Sequence, residues 1–399
     1  MVETMTRSAR WPPEAVLLAA ATSPRRDPET IREALERCAE WEPLLRSAAA
    51  NGVVHQLAVV LKTEQDLSRV PDPFRERLTT LARRALLLDR IKVAALGELL
   101  ERFGKAGIPL MLLKGMALAE RFYAKPFERF SIDIDVLVPA SFRSGAGKLL
   151  ESMGYAPSQT DFYEQHHFHV PYARTDGSSS PTIELHWQVT KKHAQVDFDV
   201  EGWWGRPVAL SLRSGEALLP PPGEELAYLC HHAFTGGSAT LRGIRDIARY
   251  LDRAVGEREW DDAKDAARRA GATLFLRQAM ELSERLWGID AGESPAVPQG
   301  SRRRQWLVRN LLDPRTVLSV GESIWWPFKR IFYWSMLDPR ASPVRDLVSR
   351  SLSSPRLADE RPGSERRVAR SGRMFLALGF AMALCLMPLR FFPPQFRKS

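Results

Sequence analysis

The chain of 399 residues is long enough for two or three domains, and its hydrophobic fraction of 44% and charged fraction of 26% are ordinary for a globular protein. A formal net charge of +9 favours a polyanionic partner, such as a nucleotide, a nucleic acid or an anionic membrane. Three widely separated cysteines exclude a disulfide framework and a cysteine zinc site, and they indicate a reducing compartment.

Residues 1–105 are predicted to form a helical region. Apolar residues recur at helical spacing in segments such as 31–38 and 84–100. The glycines and proline between positions 104 and 109 are typical of a helix end. The first 13 residues lack the apolar core of a secretory signal, which predicts a cytoplasmic protein.

Residues 106–190 are predicted to form a core in which strands and helices mix. Short continuous apolar runs are typical of buried strands, and alternating segments on both sides of a Gly/Ser-rich loop are typical of a β-hairpin. The predicted elements are a strand at 108–113, a helix at 117–123, a strand at 132–138, a helix from 139 to about 153, and hairpin arms at 165–173 and 182–189.

Residues 191–338 are predicted to form a C-terminal helical domain. After the three prolines at 220–222, a helical pair is expected at 224–234 and 240–255, and a further helix at 272–287. Arg242 and Asp246 are four residues apart on the second helix of the pair, so they share a helix face. An ordinary ion pair within the helix is one interpretation, and a contact with substrate is the other.

Residues 339–399 are predicted to be a basic linker followed by an apolar segment at 374–389. The segment is shorter than the ~20 residues that span a bilayer, and Pro388 interrupts it. A helix docked in a groove of the protein, a peripheral membrane contact and a true membrane span all remain open. The protein is therefore expected to be cytoplasmic, with membrane association as an alternative.

An Asp-x-Asp pair lies within the second predicted strand. Because side chains alternate along a strand, Asp133 and Asp135 share one face with α-carbons about 6.6 Å apart, and Ile132, Ile134 and Val136 are expected in the core. Two carboxylates at this spacing can converge on Mg²⁺ or Mn²⁺, which prefer oxygen ligands. The alternative is an edge strand with a solvated acidic face.

A Lys-Gly turn and an arginine come before this pair. Gly115 permits a close backbone approach to a phosphate, and Lys114 offers a positive charge beside it. Arg129 can bind a phosphate through two hydrogen bonds. The alternatives are a solvated turn lysine and an arginine that pairs with Glu128 or holds Asp133.

Glu184 is the candidate third carboxylate. It lies between Ile183 and Leu185 on a predicted strand, where an acidic side chain does not serve packing, although a hydrogen-bonded structural role is possible. His186 shares its face and is expected to touch substrate or metal, or to be a structural histidine. The run from His166 to His169 suggests zinc, but its alternation and the lack of a nearby cysteine favour exposed hairpin residues.

The order strand, Lys-Gly turn, helix and Asp-x-Asp strand resembles the nucleotidyltransferase fold of the DNA polymerase β superfamily. Within that superfamily, residues 105–190, and more weakly those up to about 255, are similar to the uncharacterised nucleotidyltransferase family, which is related to AbiEii-type nucleotidyltransferases. The matching residues are Leu113-Lys114-Gly115-Met116-Ala117-Leu118, Tyr123, Arg129 and Asp133-Ile134-Asp135-Val136-Leu137-Val138.

The resemblance implies an α+β fold with a small mixed sheet, flanked by N- and C-terminal helical domains. It also implies a Mg²⁺-dependent (or Mn²⁺-dependent) enzyme that transfers a nucleoside monophosphate from an NTP to a hydroxyl acceptor. The implied residues are Asp133, Asp135 and Glu184 for metal binding and catalysis, Lys114, Gly115 and Arg129 for the nucleotide, and His186, Arg242 and Asp246 on the substrate side.

One departure from the superfamily pattern concerns the turn itself. The chain has Gly115-Met116 where Gly-Ser or Gly-Gly is usual, so a hydroxyl contact to the triphosphate is missing from that position. This departure and the apolar segment at 374–389 support an alternative function as a catalytically degenerate binding or membrane-associated protein. The Asp-x-Asp pair supports a second alternative, a glycosyltransferase that binds a metal and a nucleotide-sugar. The acceptor is not identified by the sequence: a small molecule, a protein or an RNA end all fit.

Overall fold

The computed structural model describes residues 11–65, 67–158, 167–177, 180–191, 195–235, 239–253, 256–289 and 317–318. The predicted linker and apolar segment within 339–399 lie outside these residues, as do His166 and the first residues of the predicted hairpin arm at 165–173. Among the described residues, no helix combines the length and the apolar character needed to cross a membrane.

The N-terminal region is helical, as the sequence predicts. The second helix begins where the Asp27 side chain accepts hydrogen bonds from the backbone N–H groups of Glu29 and Thr30, with Pro28 at the first helical position. The helices are α1 (Pro13–Thr22), α2 (Pro28–Arg37), α3 (Trp41–Ala50), α4 (Val54–Glu64) and α5 (Asp72–Lys105).

Helix α5 is 34 residues long and contributes buried residues to the hydrophobic interior along most of its length. Its buried residues recur every three or four positions, which defines one continuous stripe on the helix surface. The stripe consists of Leu78, Ala82, Ala85, Asp89, Lys92, Leu96, Leu99 and Phe103. Two charged residues therefore occupy core positions in the middle of the helix.

A mixed sheet of seven strands lies beside α5, with the spatial order β3-β4-β5-β2-β1-β7-β6 in the described chain. Strand β2 pairs parallel with β5 and antiparallel with β1, while β4 and β5 form the predicted antiparallel hairpin. The strands are β1 (Met111–Leu112), β2 (Asp133–Leu137), β3 (Tyr155–Pro157), β4 (His169–Arg174), β5 (Thr182–His186), β6 (Val208–Leu212) and β7 (Gly215–Leu219).

The sheet extends past residue 190, where the sequence predicts only helices. Strands β6 and β7 form a hairpin, and β7 pairs parallel with β1 through Met111 and Leu218. The residues of β6 are exposed or partly exposed, because it is the outer strand of this edge. An outer strand of this kind lacks the strong apolar signal of a buried one.

The remaining helices surround the sheet. The predicted helical pair is confirmed as α9 and α10, and the predicted helix at 272–287 as α12. The helices are α6 (Met116–Phe122), α7 (Arg143–Ser152), α8 (Val200–Trp203), α9 (Pro222–His232), α10 (Leu241–Asp252), α11 (Glu257–Ala270) and α12 (Thr273–Trp287).

Two hydrophobic cores lie on opposite faces of the sheet. The first joins α1–α4 and the start of α5 to α9–α12, and it includes Met111 and Leu137 from the sheet. The second joins the end of α5 and α7 to the other face, which carries Leu112, Ile134 and Val136. Odd-numbered positions of β2 therefore point toward the helices of the first core.

Candidate functional site

The carboxylates of the Asp-x-Asp pair lie on the sheet face that points toward the first core. In the parallel register of β2 and β5, Asp135 lies directly beside Glu184. Ile134 is buried on the opposite face, as predicted, but Ile132 is 59% exposed and lies outside the strand. The prediction of a core position for Ile132 is wrong because the strand begins only at Asp133.

Three carboxylates converge at this point. Asp133, Asp135 and Glu184 each offer one ligand atom, and these atoms all lie within 4.8 Å of one another. Asp135 is buried, while Asp133 and Glu184 are partly exposed and accessible to a ligand. Three hard oxygen donors grouped so closely form a ligand set that suits Mg²⁺ or Mn²⁺.

Lys114 lies between the carboxylates. Its ammonium is 2.5 Å from Asp135 Oδ1 and 3.9 Å from Glu184 Oε2. Burial opposes the charged form of Lys114, yet the neighbouring carboxylates raise its pKa above the usual value. Burial likewise opposes ionisation of Asp135, but Lys114 and His186 hold its pKa well below the usual range. The space between the carboxylates therefore favours a cation.

Gly115 forms the turn between Lys114 and α6 with a backbone conformation that L side chains rarely adopt (φ 60°, ψ −115°). A Cβ atom at this position would lie 3.6 Å from Asp135 Oδ2 and 4.0 Å from Ser131 Oγ. Glycine therefore allows the turn and keeps the space beside Asp135 open.

Met116, which replaces the serine of the superfamily pattern, does not fill that space. Its side chain is 4% exposed and packs in the second core, on the face opposite the carboxylates. The substitution therefore removes a hydroxyl group from the turn without placing a methionine side chain in the site.

His186 contacts both neighbouring carboxylates. Its Nε2 atom is 3.4 Å from Asp135 Oδ1 and 3.3 Å from Glu184 Oε2. Burial opposes protonation of His186, but these hydrogen bonds raise its pKa above the usual value. Burial raises the pKa of Glu184, and the charge of Asp135 acts in the same direction. A carboxyl group with a raised pKa is suited to accept a proton.

His169 lies against this group and is not the exposed hairpin residue that the sequence predicts. It is partly buried, and its ring stacks on that of His186 with centroids 4.7 Å apart. Burial, together with the charge of His186, lowers its pKa to about 3. His169, Glu184 and His186 form a second group whose ligand atoms lie within 4.8 Å of one another.

Arg129 and Asp246 form a buried ion pair just before β2. Nε and Nη2 of Arg129 donate to Asp246 Oδ2 at 3.1 and 2.8 Å, and the Tyr123 hydroxyl donates to Asp246 Oδ1 at 2.5 Å. The alternative partner of the arginine, Glu128, is bound by Arg26 at 2.6 Å. Arg129 therefore links α10 to the segment that precedes the carboxylates.

Arg242 forms no ion pair with Asp246 on its own helix, since its guanidinium lies beside Gly52, with Nε 3.2 Å from the position of a Cβ atom on that glycine. Burial, with the charge of Arg129, lowers the pKa of Arg242, and Asp133 acts in the opposite direction. Arg242 is thus within electrostatic range of both Arg129 and Asp133.

Three further residues near the carboxylates, Tyr228, Lys92 and Ser131, were not identified by the sequence analysis, whereas His232 belongs to the predicted helical pair that the family resemblance places beside the site. Tyr228 and His232 of α9 lie within electrostatic range of Lys114 and Asp135. Lys92 of α5 donates a hydrogen bond to Ser131 Oγ at 2.8 Å. For Lys92 a sequence signal exists, since a lysine on an otherwise largely apolar helix stripe requires an explanation.

Comparison with known proteins identifies a family and a similarity to solved structures. A family model described as "Uncharacterised nucleotidyltransferase" matches residues 37–288. No curated protein matches the chain. The solution structure of the antibiotic-resistance factor ANT(2'')-Ia is similar to this chain at 12% sequence identity and a TM-score of 0.32, over 45% of this chain and 94% of that one.

Proposed function

The chain belongs to the uncharacterised nucleotidyltransferase family, and from this premise we propose that it transfers a nucleoside monophosphate from an NTP to a hydroxyl acceptor in a Mg²⁺-dependent or Mn²⁺-dependent reaction. The observation that carries the proposal is the convergence of Asp133, Asp135 and Glu184 within 4.8 Å. Phosphoryl-transfer sites work chiefly by positioning reactants and neutralising charge, and a group of carboxylates that favours a cation supports both tasks.

Asp133, Asp135 and Glu184 are the residues proposed to hold the metal. Their oxygen donors fit Mg²⁺ or Mn²⁺, and the ammonium of Lys114 beside Asp135 supports a cation preference there. When bound, the metal would supply charge neutralisation at the phosphate oxygens.

Glu184 is the proposed proton acceptor. The acceptor hydroxyl oxygen forms a bond to the α-phosphorus, the bond from that phosphorus to the bridging oxygen breaks, and pyrophosphate leaves with the bond electrons. The hydroxyl proton passes to a Glu184 carboxylate oxygen. Its raised pKa and partial exposure support this role, while completion of the metal site remains its second proposed role.

Lys114 and Gly115 are proposed to contact the triphosphate, since one supplies a positive charge and the other leaves space beside Asp135. Arg129, which is 6% exposed and bonded to Asp246, supports the nucleotide site by fixing the segment before β2. On the substrate side we propose His186, Arg242 and, through Arg129, Asp246.

The alternative functions receive less support. A glycosyltransferase would place an α/β nucleotide-binding unit before the Asp-x-Asp pair, whereas the described residues between 11 and 132 contain helices and the two-residue strand β1. The degenerate-protein interpretation depended on Met116 and on the apolar segment at 374–389. The Met116 side chain lies in the second core and not in the site, while the apolar segment lies outside the described residues.

The test is pyrophosphate release from each of the common NTPs in the presence of Mg²⁺ and a cell extract as the source of acceptors. Asp133→Asn is the most informative variant, because Asp133 is partly exposed and its neutralisation leaves the Lys114–Asp135 pair intact. We expect a loss of about 100-fold or more in turnover, the scale typical of a lost electrostatic contact in a transition state.

Asp176→Asn is the matched control, since this aspartate is 55% exposed beyond the end of β4 and away from the carboxylates. The control should release pyrophosphate at the wild-type rate. Undiminished, metal-dependent release by Asp133→Asn would refute the proposal. Labelling from α-labelled NTP, followed by identification of the labelled species, would then assign the acceptor as a small molecule, a protein or an RNA end.

A further inference from the structure

A second buried lysine, besides Lys114, lies near the carboxylate group of Asp133, Asp135 and Glu184. Lys92 is on the buried stripe of α5, and only 4% of its surface is exposed. Its ammonium donates to the Ser131 hydroxyl at 2.8 Å, and Ser131 is 5% exposed. A buried ammonium is costly unless an anion compensates it.

Two of the three neighbouring carboxylates, Asp89 and Asp135, are already bound to other cations, and the third is Asp133. Asp89, one turn earlier on α5, accepts from Arg213 at 2.9 and 3.2 Å, and Asp135 accepts from Lys114 at 2.5 Å. Within the described part of the chain, no carboxylate oxygen lies within ion-pair distance of Lys92. Burial, with the charge of Arg129, lowers the pKa of Lys92 to about 8 although Asp133 opposes the shift.

The Ser131 hydroxyl lies between this lysine and Gly115. The position of a Cβ atom on Gly115 would be 4.0 Å from Ser131 Oγ and 3.6 Å from Asp135 Oδ2. The Ser131 hydroxyl also makes a long contact of 3.4 Å to the carbonyl oxygen of Asp133. A hydroxyl hydrogen with such a weak acceptor can turn toward a charged oxygen nearby.

We propose that Lys92 and Ser131 bind the pyrophosphate part of the nucleoside triphosphate beside Gly115. This inference rests on the proposed function, because the attacked α-phosphorus must lie next to Asp133, Asp135 and Glu184. Lys92 is linked to the Gly115 turn through its hydrogen bond to Ser131, so its positive charge would act on a phosphate bound at that turn, next to the reacting one. Ser131 thereby supplies the hydroxyl group that the Gly115-Met116 turn lacks.

The experiment is calorimetric titration of the full chain with inorganic tripolyphosphate, with and without Mg²⁺. Lys92→Met keeps the length of the side chain and removes its charge, and Ser131→Ala removes only the hydroxyl. We expect tripolyphosphate affinity to fall about 10- to 100-fold in Lys92→Met and about 3- to 10-fold in Ser131→Ala. Lys105→Met, an exposed lysine of the same helix, should bind as the wild type does.

Titration with Mn²⁺ alone separates anion binding from a general disturbance of the site. Removing a positive charge near Asp133 should leave Mn²⁺ affinity unchanged or increase it, whereas a distorted site would bind Mn²⁺ more weakly. Parallel loss of both ligands in Lys92→Met and in Ser131→Ala would therefore overturn the inference. If Lys92→Met does not fold, the tripolyphosphate and Mn²⁺ titrations of Ser131→Ala test the inference on their own.

Failure of this inference and failure of the proposed function give different results. Wild-type tripolyphosphate affinity in both variants, together with normal pyrophosphate release, would overturn the phosphate subsite and leave the transferase intact. Lysine-dependent tripolyphosphate binding without turnover of any NTP would support the subsite and count against the transferase.

Discussion

Asp246 stands among four arginines in the protein interior. Arg129 donates to it directly, Arg245 is 4.0 Å away, and both Arg242 and Arg249 lie within electrostatic range of the same cluster. Burial opposes ionisation of Asp246, but Arg129 and Arg245 hold its pKa below the usual value. The carboxylate of Asp246 thus offsets much of the positive charge of the arginines around the segment that precedes β2.

Asp246→Asn should destabilise the protein by about 3 kcal/mol at pH 7, because it leaves buried arginines without a counter-charge. A carboxylate whose pKa is depressed by folding stabilises the native state above its unfolded pKa of about 3.9, and the stabilisation is lost as the pH falls through the lower, folded value. The difference in free energy of unfolding between Asp246→Asn and the wild type should therefore decrease by about 1 kcal/mol between pH 7 and pH 3. Urea unfolding of both proteins at the two pH values measures this change.

Asp252→Asn is the control on the same helix. Asp252 pairs with Arg25, whose side chain is 65% exposed, so its loss should cost no more than about 1 kcal/mol. A difference between Asp246→Asn and wild type that stays constant down to pH 3 would show that the depressed pKa of Asp246 does not contribute to folding.

The sequence predicts some contacts at the residue scale and not others. Alternation along a strand is local, so the shared face of Asp133 and Asp135 follows from the sequence, and the structure brings Glu184 to the same face. The Arg129–Asp246 pair joins residues 117 positions apart. No local pattern identifies such a partner, and the (i, i+4) spacing of Arg242 and Asp246 suggests a different one.

At the scale of elements, local sequence patterns likewise predict hairpins within the sheet but not the pairing of strands that are distant in sequence. The hairpin of β4 and β5 is predictable from its alternation and its loop. The parallel pairing of β2 with β5, which places Asp135 beside Glu184, depends on tertiary packing. The hairpin of β6 and β7 is not predicted from the sequence because its outer strand is largely solvent-exposed.

Helix α9 packs closely against α11 at Gly223, and this contact positions the helix that carries Tyr228 and His232. A Cβ atom on Gly223 would lie 2.6 Å from Asp262 Cβ and 2.7 Å from Ala263 N. Gly223→Ala should therefore destabilise the protein by about 1–3 kcal/mol, because the helices must separate. The midpoint of urea unfolding should fall accordingly.

Gly104→Ala is a control that should change the stability of the protein in the opposite direction. Gly104 lies in α5, and a Cβ atom added to it would meet no atom of the described chain within 4 Å, so alanine should stabilise the protein by about 0.5–1 kcal/mol through helix propensity. Equal stability of the two variants would mean that the close contact of α9 and α11 does not resist an added methyl group.

For the whole molecule, the α+β class with a mixed sheet is confirmed, and the two helical regions are joined in space. The indole N–H of Trp287 donates to the Ala19 carbonyl at 2.9 Å, and the Leu241 N–H donates to Asn51 Oδ1 at 3.0 Å. The sequence predicts N- and C-terminal helical regions but not the contact between them, because contacts between distant segments leave no local pattern. The first core contains residues of both regions.

Trp287→Ala tests whether these regions fold as one unit. Trp287 is 5% exposed in the first core, so its truncation should cost about 3–5 kcal/mol. Because the core is shared, hydrogen exchange measured at increasing urea should show α1–α4 and α9–α12 losing protection together and at lower urea than in the wild type. Trp260 occupies a partly buried position beside the same core, so Trp260→Ala should lower the urea concentration at which both regions lose protection by a smaller amount. If α1–α4 kept wild-type protection while α12 opened, the two helical regions would be independent folding units, and the carboxylate site would depend on only one of them.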